Sequence, residues 1–294
     1  MDAVHARGRL SARLHELGPG LTAAVSFGIG DTLSKMIFAA GVDVLTLALI
    51  RGIVGLAIMA AYLRVGAPVT PDTPRTRAVA LGLGVLFAVI VYGLFKAIDL
   101  LTVPVAVLTY FTYPLLTGLG GALLRIERLG WRGALAAVAA FCGLALMIGA
   151  YPHRLSIAGL GFALGAALCR ATFLLVARIE LQKADPRMTT WHSLVSSTAI
   201  FAVAALATMN WHGPAGAYGW TLVFILSLCV AVATLTLYMS TVRIGPFRSA
   251  LIMNLEPLLA TLLSAVLLGE VITGVQALGA AVMLTALVAF QLRR

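Results

Sequence analysis

The sequence predicts an all-α membrane protein whose ten transmembrane helices form two inverted five-helix repeats. Three observations carry this reading: ten apolar segments of bilayer-spanning length, Lys and Arg concentrated in alternate connections, and a self-similarity at one fixed offset. Of the 294 residues, 61% are hydrophobic and 11% charged, with a mean hydropathy of +1.02. Soluble domains carry charge on roughly a quarter of their residues. A soluble fold of this length also lacks the interior to hide so much apolar surface.

The segments are 20–40, 44–63, 76–95, 103–124, 131–150, 157–177, 189–209, 218–241, 246–268 and 274–291. A hydrocarbon core about 30 Å thick demands about 20 residues at a rise of about 1.5 Å each. One set of connections holds Arg7, Arg9 and Arg13, then Arg64, Arg75 and Arg77, then Arg125, Arg128 and Arg132. The same set continues with Arg178, Lys183 and Arg187, with Arg243 and Arg248, and with Arg293 and Arg294. The opposite set offers Lys96 and Arg154. Cytoplasmic connections hold the excess of Lys and Arg, so both termini are expected in the cytoplasm, which requires an even number of spans. The basic, polar stretch 1–18 has no apolar run before Leu21 and is expected to stay attached rather than be cleaved as a secretory signal.

A net charge of +10 would by itself suit nucleic acid. The basic residues, however, fall in short clusters between apolar runs rather than along one polar face, so the expected partners are a lipid bilayer and a small molecule, not nucleic acid. Cys142, Cys169 and Cys229 each lie in an apolar run without metal-ligand spacing and read as small packed hydrophobes. Neither metal nor cofactor is expected.

Shifting the chain by 143 positions places Tyr113-Pro114-Leu115-Leu116 on Glu256-Pro257-Leu258-Leu259 and Glu127 on Glu270. The same shift places Lys35 on Arg178 and Thr46 on Thr189. Residues 1–150 and 151–294 are therefore expected to be two five-span units. Five is odd, so the second unit enters the membrane upside down, and such inverted pairs underlie alternating access with the solute held near the midplane.

Charges within spans are costly and face a cavity or a partner. Asp31 and Lys35 share one face of span one, which suits a self-neutralised pair or makes Asp31 a proton or amine site. Arg51, two turns into span two, has a stem long enough to snorkel outwards, a structural role. Arg170, central in span six, suits a substrate carboxylate through its planar fork. Glu256 precedes Pro257, whose missing amide kinks span nine and opens a polar spot for a proton or amine. Pro114 should bend span four likewise. Tyr92, Tyr110, Tyr113 and Tyr238 offer flat apolar faces with hydroxyl tips, fit for a solute of mixed polarity. Trp191, Trp211 and Trp220 near span ends read as interfacial anchors, His192 and His212 as satisfied polar residues, and Gly161 with Gly165 as a helix-packing pair.

The run Asn254-Leu255-Glu256-Pro257-Leu258-Leu259 leading to Leu268-Gly269-Glu270, with Phe27-Gly28 and Lys35 in span one and Arg51 in span two, resembles the drug/metabolite transporter superfamily, in its ten-span branch of EamA-type exporters. Within it, Tyr110-Phe111-Thr112-Tyr113-Pro114 and Tyr92 resemble the subgroup that exports amino acids, including aromatic ones. That resemblance adds Phe111 to the expected site. Phe27 departs from the family's usual Trp, and Arg170 stands where an aromatic residue is common.

The expected substrate-binding residues are thus Tyr92, Tyr110, Phe111, Tyr113, Arg170 and Tyr238, with Asp31 and Glu256 as the proton or amine site. The expected function is a secondary transporter, not an enzyme, that exports small metabolites, amino acids foremost, from the cytoplasm across a bacterial inner (plasma) membrane. It would act as a monomer or weak homo-oligomer. A multidrug or nucleotide-sugar carrier is the alternative within transport, although one central arginine disfavours sugar nucleotides. An intramembrane enzyme would need a convergent acid, base or metal cluster that scattered Asp31 and Glu256 do not establish. A channel would conduct without saturation.

Overall fold

A computed structural model describes residues 2–100, 103–127, 130–148, 156–208, 212–214, 216–268 and 272–292. Among them the chain forms α1 (Asp2–Ala39), α2 (Val44–Val65), α3 (Pro74–Leu100), α4 (Val103–Tyr110), α5 (Tyr113–Leu123) and α6 (Trp131–Ile148). The second half forms α7 (Ile157–Glu180), α8 (Pro186–Thr208), α9 (Gly216–Ile244), α10 (Pro246–Ile252), α11 (Leu255–Leu268) and α12 (Gly274–Leu292). Hydrocarbon offers no partner to a peptide group, so apolar runs of this length must satisfy their own backbone as helices. Ten spans result, because α4 with α5, and α10 with α11, are two halves of one crossing each. Arg128, Arg154, Trp211, Gly269, Glu270, Arg293 and Arg294 lie outside the described residues, as does the side chain of Lys35.

Two features differ from the sequence-based expectation. The first helix begins at Asp2, so the polar segment continues span one as helix instead of merely preceding it. Spans four and nine are broken rather than kinked, with Phe111-Thr112 and Met253-Asn254 outside the helices. Proline donates no amide and crowds the carbonyl four residues back, which is Tyr110 for Pro114 and Met253 for Pro257. Side chains take up nearby loosened carbonyls. Thr112 Oγ1 donates to Thr109 O at 2.7 Å, and Asn254 Nδ2 donates to Leu251 O at 3.1 Å.

Helix packing follows the repeat. Span one packs on span eight, and its mate, span six, packs on span three. Spans one and nine touch, as do four and six; spans two and eight touch, as do three and seven. Spans two and seven, four and nine, and five and ten each pack on their own mates. A pseudo-two-fold axis between inverted halves demands this pattern, and it places the broken spans four and nine beside each other at the centre.

Asp43 shows how the end remote from the arginine clusters is tied. Its carboxylate accepts from Leu45 N at 2.9 Å and Thr46 N at 3.0 Å, capping α2, and from His212 N at 3.0 Å. Burial pushes this carboxyl up, but hydrogen bonds from Thr46, His212 and Leu45 outweigh it and hold it below its ordinary 3.8. Stability from a depressed carboxyl is complete above the unfolded value and is lost as pH falls through the folded one. Asp43→Ala is expected to cost about 1–2 kcal/mol, seen as a lower Tm at neutral pH. The difference from wild type should vanish in strong acid.

Candidate functional site

On α1, Gly20, Ala24 and Gly28 are buried along one face. Asp31 continues that inward face by one turn, yet it is exposed. A charged side chain within a span faces a cavity or a partner rather than lipid. The Asp31 carboxyl is hydrogen-bonded to Glu256 of α11 and lies within electrostatic reach of Arg51 of α2. Two carboxyl groups in such contact need a proton or a cation between them, because like charges at this range oppose joint ionisation.

Arg51 corrects the snorkelling expectation. It shares the inward face of α2 with buried Ala48, Gly52 and Gly55, and its guanidinium carbon lies 5.8 Å from the centre of the Phe87 ring. Its Nη2 is buried without a hydrogen-bond partner among the described residues. The pairing of Asp31 with Lys35 falls on a side chain outside the described residues; within them Asp31 reaches Glu256 and Arg51.

Glu256 also lies within reach of Arg170, which links this polar group to an aromatic one. Arg170 is 4% exposed. Its guanidinium carbon is 5.6 Å from the ring centres of Phe27 and Phe173 and 5.8 Å from that of Tyr113. Rings at this range attract the cation through their quadrupoles, but they supply no hydrogen-bond acceptor in its plane. Arg170 Nε accordingly has no partner among the described residues, and the Tyr113 hydroxyl, though it faces the guanidinium, makes no hydrogen bond of good geometry. Tyr110, Phe111 and Tyr113 pack on one another with ring centres 5.4 to 5.7 Å apart.

The expected residues therefore divide. Tyr110, Phe111, Tyr113, Arg170, Asp31 and Glu256 converge, all on spans one, four, six and nine. Tyr238 sits beside them, 5.2 Å from Phe173 ring to ring, but its hydroxyl is already bonded to Ser193 Oγ at 2.6 Å, which contacts Ala80 O at 2.9 Å. Tyr92 does not belong. It is 57% exposed and meets the Phe162 ring edge-on, because it lies on the outer face of α3. Gly161 and Gly165 also face outwards, where an added Cβ would meet nothing within 4 Å, so they are no helix crossing. Cys142 is exposed, Cys229 is half-buried, and Cys169, also half-buried, packs against the core. His192 is engaged, its Nε2 3.2 Å from Asp72.

Phe173, and Phe27, noted above only as a departure from the family's usual Trp, were not among the expected site residues. Phe173 is one turn after Arg170 and so shares its face. Phe27 is 143 positions before Arg170, the same offset that relates Tyr113 to Glu256. The centre of the site thus consists of two pairs of repeat mates, and applying the offset to Arg170 would have found Phe27.

The arginine-rich end is closed by cross-links between the halves. Glu127 accepts from Phe247 N at 3.1 Å, capping α10, and lies near Arg178 and Arg248. Burial pushes the Glu127 carboxyl up, and the Phe247 amide with the two arginines offsets only part of that. Arg248 pairs with Glu16 at 4.0 Å across the halves, while within the second half Arg178 donates to Val242 O in the last turn of α9. Arg75 with Glu180 at 2.8 Å and Asp185 with Arg187 at 2.6 Å hold the neighbouring connections. The bend that permits this is Gly245, at φ 92° and ψ 160°, a conformation essentially restricted to glycine. A Cβ there would also collide with the Glu127 carboxylate. Gly245→Ala is expected to lower Tm, and adding Glu127→Ala should recover only the collision part, leaving about 1–3 kcal/mol of backbone strain.

The profile of the EamA-like transporter family matches residues 19–149 and again 157–290. No curated protein matches the chain in sequence. Among solved structures, one crystal structure superposes with a TM-score of 0.79 at 20% identity, covering 94% of this chain and 96% of that one. At that identity the likeness shows a shared fold.

Proposed function

The chain belongs to the EamA-like transporter family, and from that premise we propose that it is a secondary transporter that exports amino acids, aromatic ones foremost, by alternating access. One observation carries the reading: the Nε of buried Arg170 and the hydroxyl of buried Tyr113 beside it each lack a hydrogen-bond partner of good geometry among the described residues. Buried polar groups are otherwise almost always satisfied, so a solute carboxylate is the natural missing acceptor. The Asp31–Glu256 pair then receives the ammonium group or a proton in its place. Phe27, Tyr110, Phe111 and Phe173 take an apolar or aromatic side chain. In this conformation the rings pack on one another around Arg170, the site is closed towards the arginine-rich end, and Asp31 opens the opposite way. Given the distribution of Lys and Arg, that opening faces away from the cytoplasm, in a plasma-membrane protein with both termini inside.

The test is uptake of labelled tryptophan, phenylalanine, threonine and methionine into liposomes holding the purified protein, with and without a pH gradient. Saturable uptake, with tryptophan and phenylalanine taken best, is expected. Glu256→Gln should weaken tryptophan uptake about tenfold, the scale of one charged contact, but spare inhibition by indole-3-propionate, which has no amine. Failure of all four amino acids to enter would overturn the reading.

A further inference from the structure

Far from the central site, spans five and ten pack on each other and leave a groove of about 570 Å³ between them. From α6 it is lined by Trp131, Arg132, Leu135, Ala136 and Ala139, and from α12 by Ala281, Thr285 and Ala289. The two helices run antiparallel as inverted mates, so the first turn of α6 lies beside the last turns of α12. The groove therefore runs from the arginine-rich membrane edge about 12 Å into the hydrocarbon, the rise of eight helical residues. One turn beyond Ala139 the helices approach closely at Gly143, where an added Cβ would meet Gly279 O and Met283 N at 2.7 Å.

We propose that this groove binds an anionic phospholipid, one acyl chain lying along the alanines and the phosphate on Arg132. The groove wall is apolar along its length, as a lipid chain requires, and its one cationic side chain stands at the edge where headgroups lie. Arg132 is exposed and has no acidic partner among the described residues; its guanidinium stacks 5.3 Å from the ring centre of Trp131. Trp131 is 71% exposed, an amphipathic ring at the depth where such rings anchor in headgroups. Basic pockets between helices at that level recognise anionic headgroups.

Symmetry sharpens the argument. The 143-residue offset carries Trp131-Arg132 onto Gly274-Val275 and carries Leu146 onto Ala289. At the mate positions, glycine and valine thus stand where the groove has its ring and its cation, and a leucine stands where it has alanine. A feature demanded by helix packing alone would recur at both ends. Among the described residues this one does not.

Native mass spectrometry of the full-length protein, released from bilayers of mixed phosphatidylcholine and phosphatidylglycerol, tests the proposal. Wild type should retain phosphatidylglycerol in preference to phosphatidylcholine. Arg132→Gln should cut that preference about fivefold, the scale of one cation at a membrane surface, and Arg132→Lys should keep it. Ala136→Leu, which fills the groove, should lower retention of both lipids; if it fails to fold, the two Arg132 variants at the exposed position decide alone. An unchanged preference in Arg132→Gln overturns the proposal. A wild-type dimer that Ala136→Leu converts to monomer overturns it too, since the groove would then seat a second copy of the chain.

Discussion

Replacing Arg170 with Met is expected to abolish saturable amino-acid uptake while leaving Tm unchanged or higher. A substituted apolar chain of similar length still packs among Phe27, Tyr113 and Phe173, and the buried Nε without an acceptor is removed together with its desolvation cost. Cation–ring attraction, at about 1–2 kcal/mol, is the opposing loss. Removing one member of a buried, hydrogen-bonded charge pair costs about 2–5 kcal/mol of binding, about thirtyfold to several thousandfold in affinity. Arg170→Lys keeps charge but not the fork and should fall between. If Arg170→Met transports as wild type does, the carboxylate contact lies elsewhere; if it unfolds, the arginine is structural.

The second large effect is expected at Gly28, where spans one and nine cross between Asp31 and the broken helix. A Cβ there would meet Leu259 Cβ at 2.9 Å and the Glu256 backbone oxygen at 3.0 Å. The backbone of α11 cannot yield as a side-chain tip would, so Gly28→Val should destabilise the protein by about 1–3 kcal/mol, the usual penalty of overpacking. It should also displace Glu256 from Asp31 and end transport. Gly161→Val, facing outwards with nothing within 4 Å, is the matched control. Thermal unfolding and uptake measured side by side separate the two glycines, and equal behaviour would refute the crossing.

These contrasts show what the sequence makes legible. Span number and the places where spans four and nine depart from a straight helix follow from apolar length and from Pro114 and Pro257, because both are one-dimensional properties of the chain; that the helices break there instead of bending does not. Arg170 and Glu256 are legible because charge deep in a span needs a reason. Which face of an apolar span turns inwards is not legible, since a helix hydrophobic all round has no moment to orient it. Tyr92 was expected inside and lies outside for that reason, and Gly161 with Gly165 likewise. Arg51 was expected to reach outwards, but the acid that draws it inwards, Asp31, belongs to another helix, and sequence spacing carries no distance between helices.

The pairing of Phe27 with Arg170 has a consequence for how such a carrier could be assembled. Had the two halves been separate identical subunits, the residue at this position would face its own copy across the axis, because a two-fold interface repeats every residue. Two arginines there would repel each other, and two phenylalanines would offer a solute no charge. Joining the halves in one chain lets the positions differ, so the ring of one half can hold the cation of the other. Tyr113 and Glu256 divide in the same way. A solute bound at this axis meets a cationic face and an acidic face that no rotation exchanges, so it must lie in one fixed direction, head and tail distinguished, as it passes through the membrane.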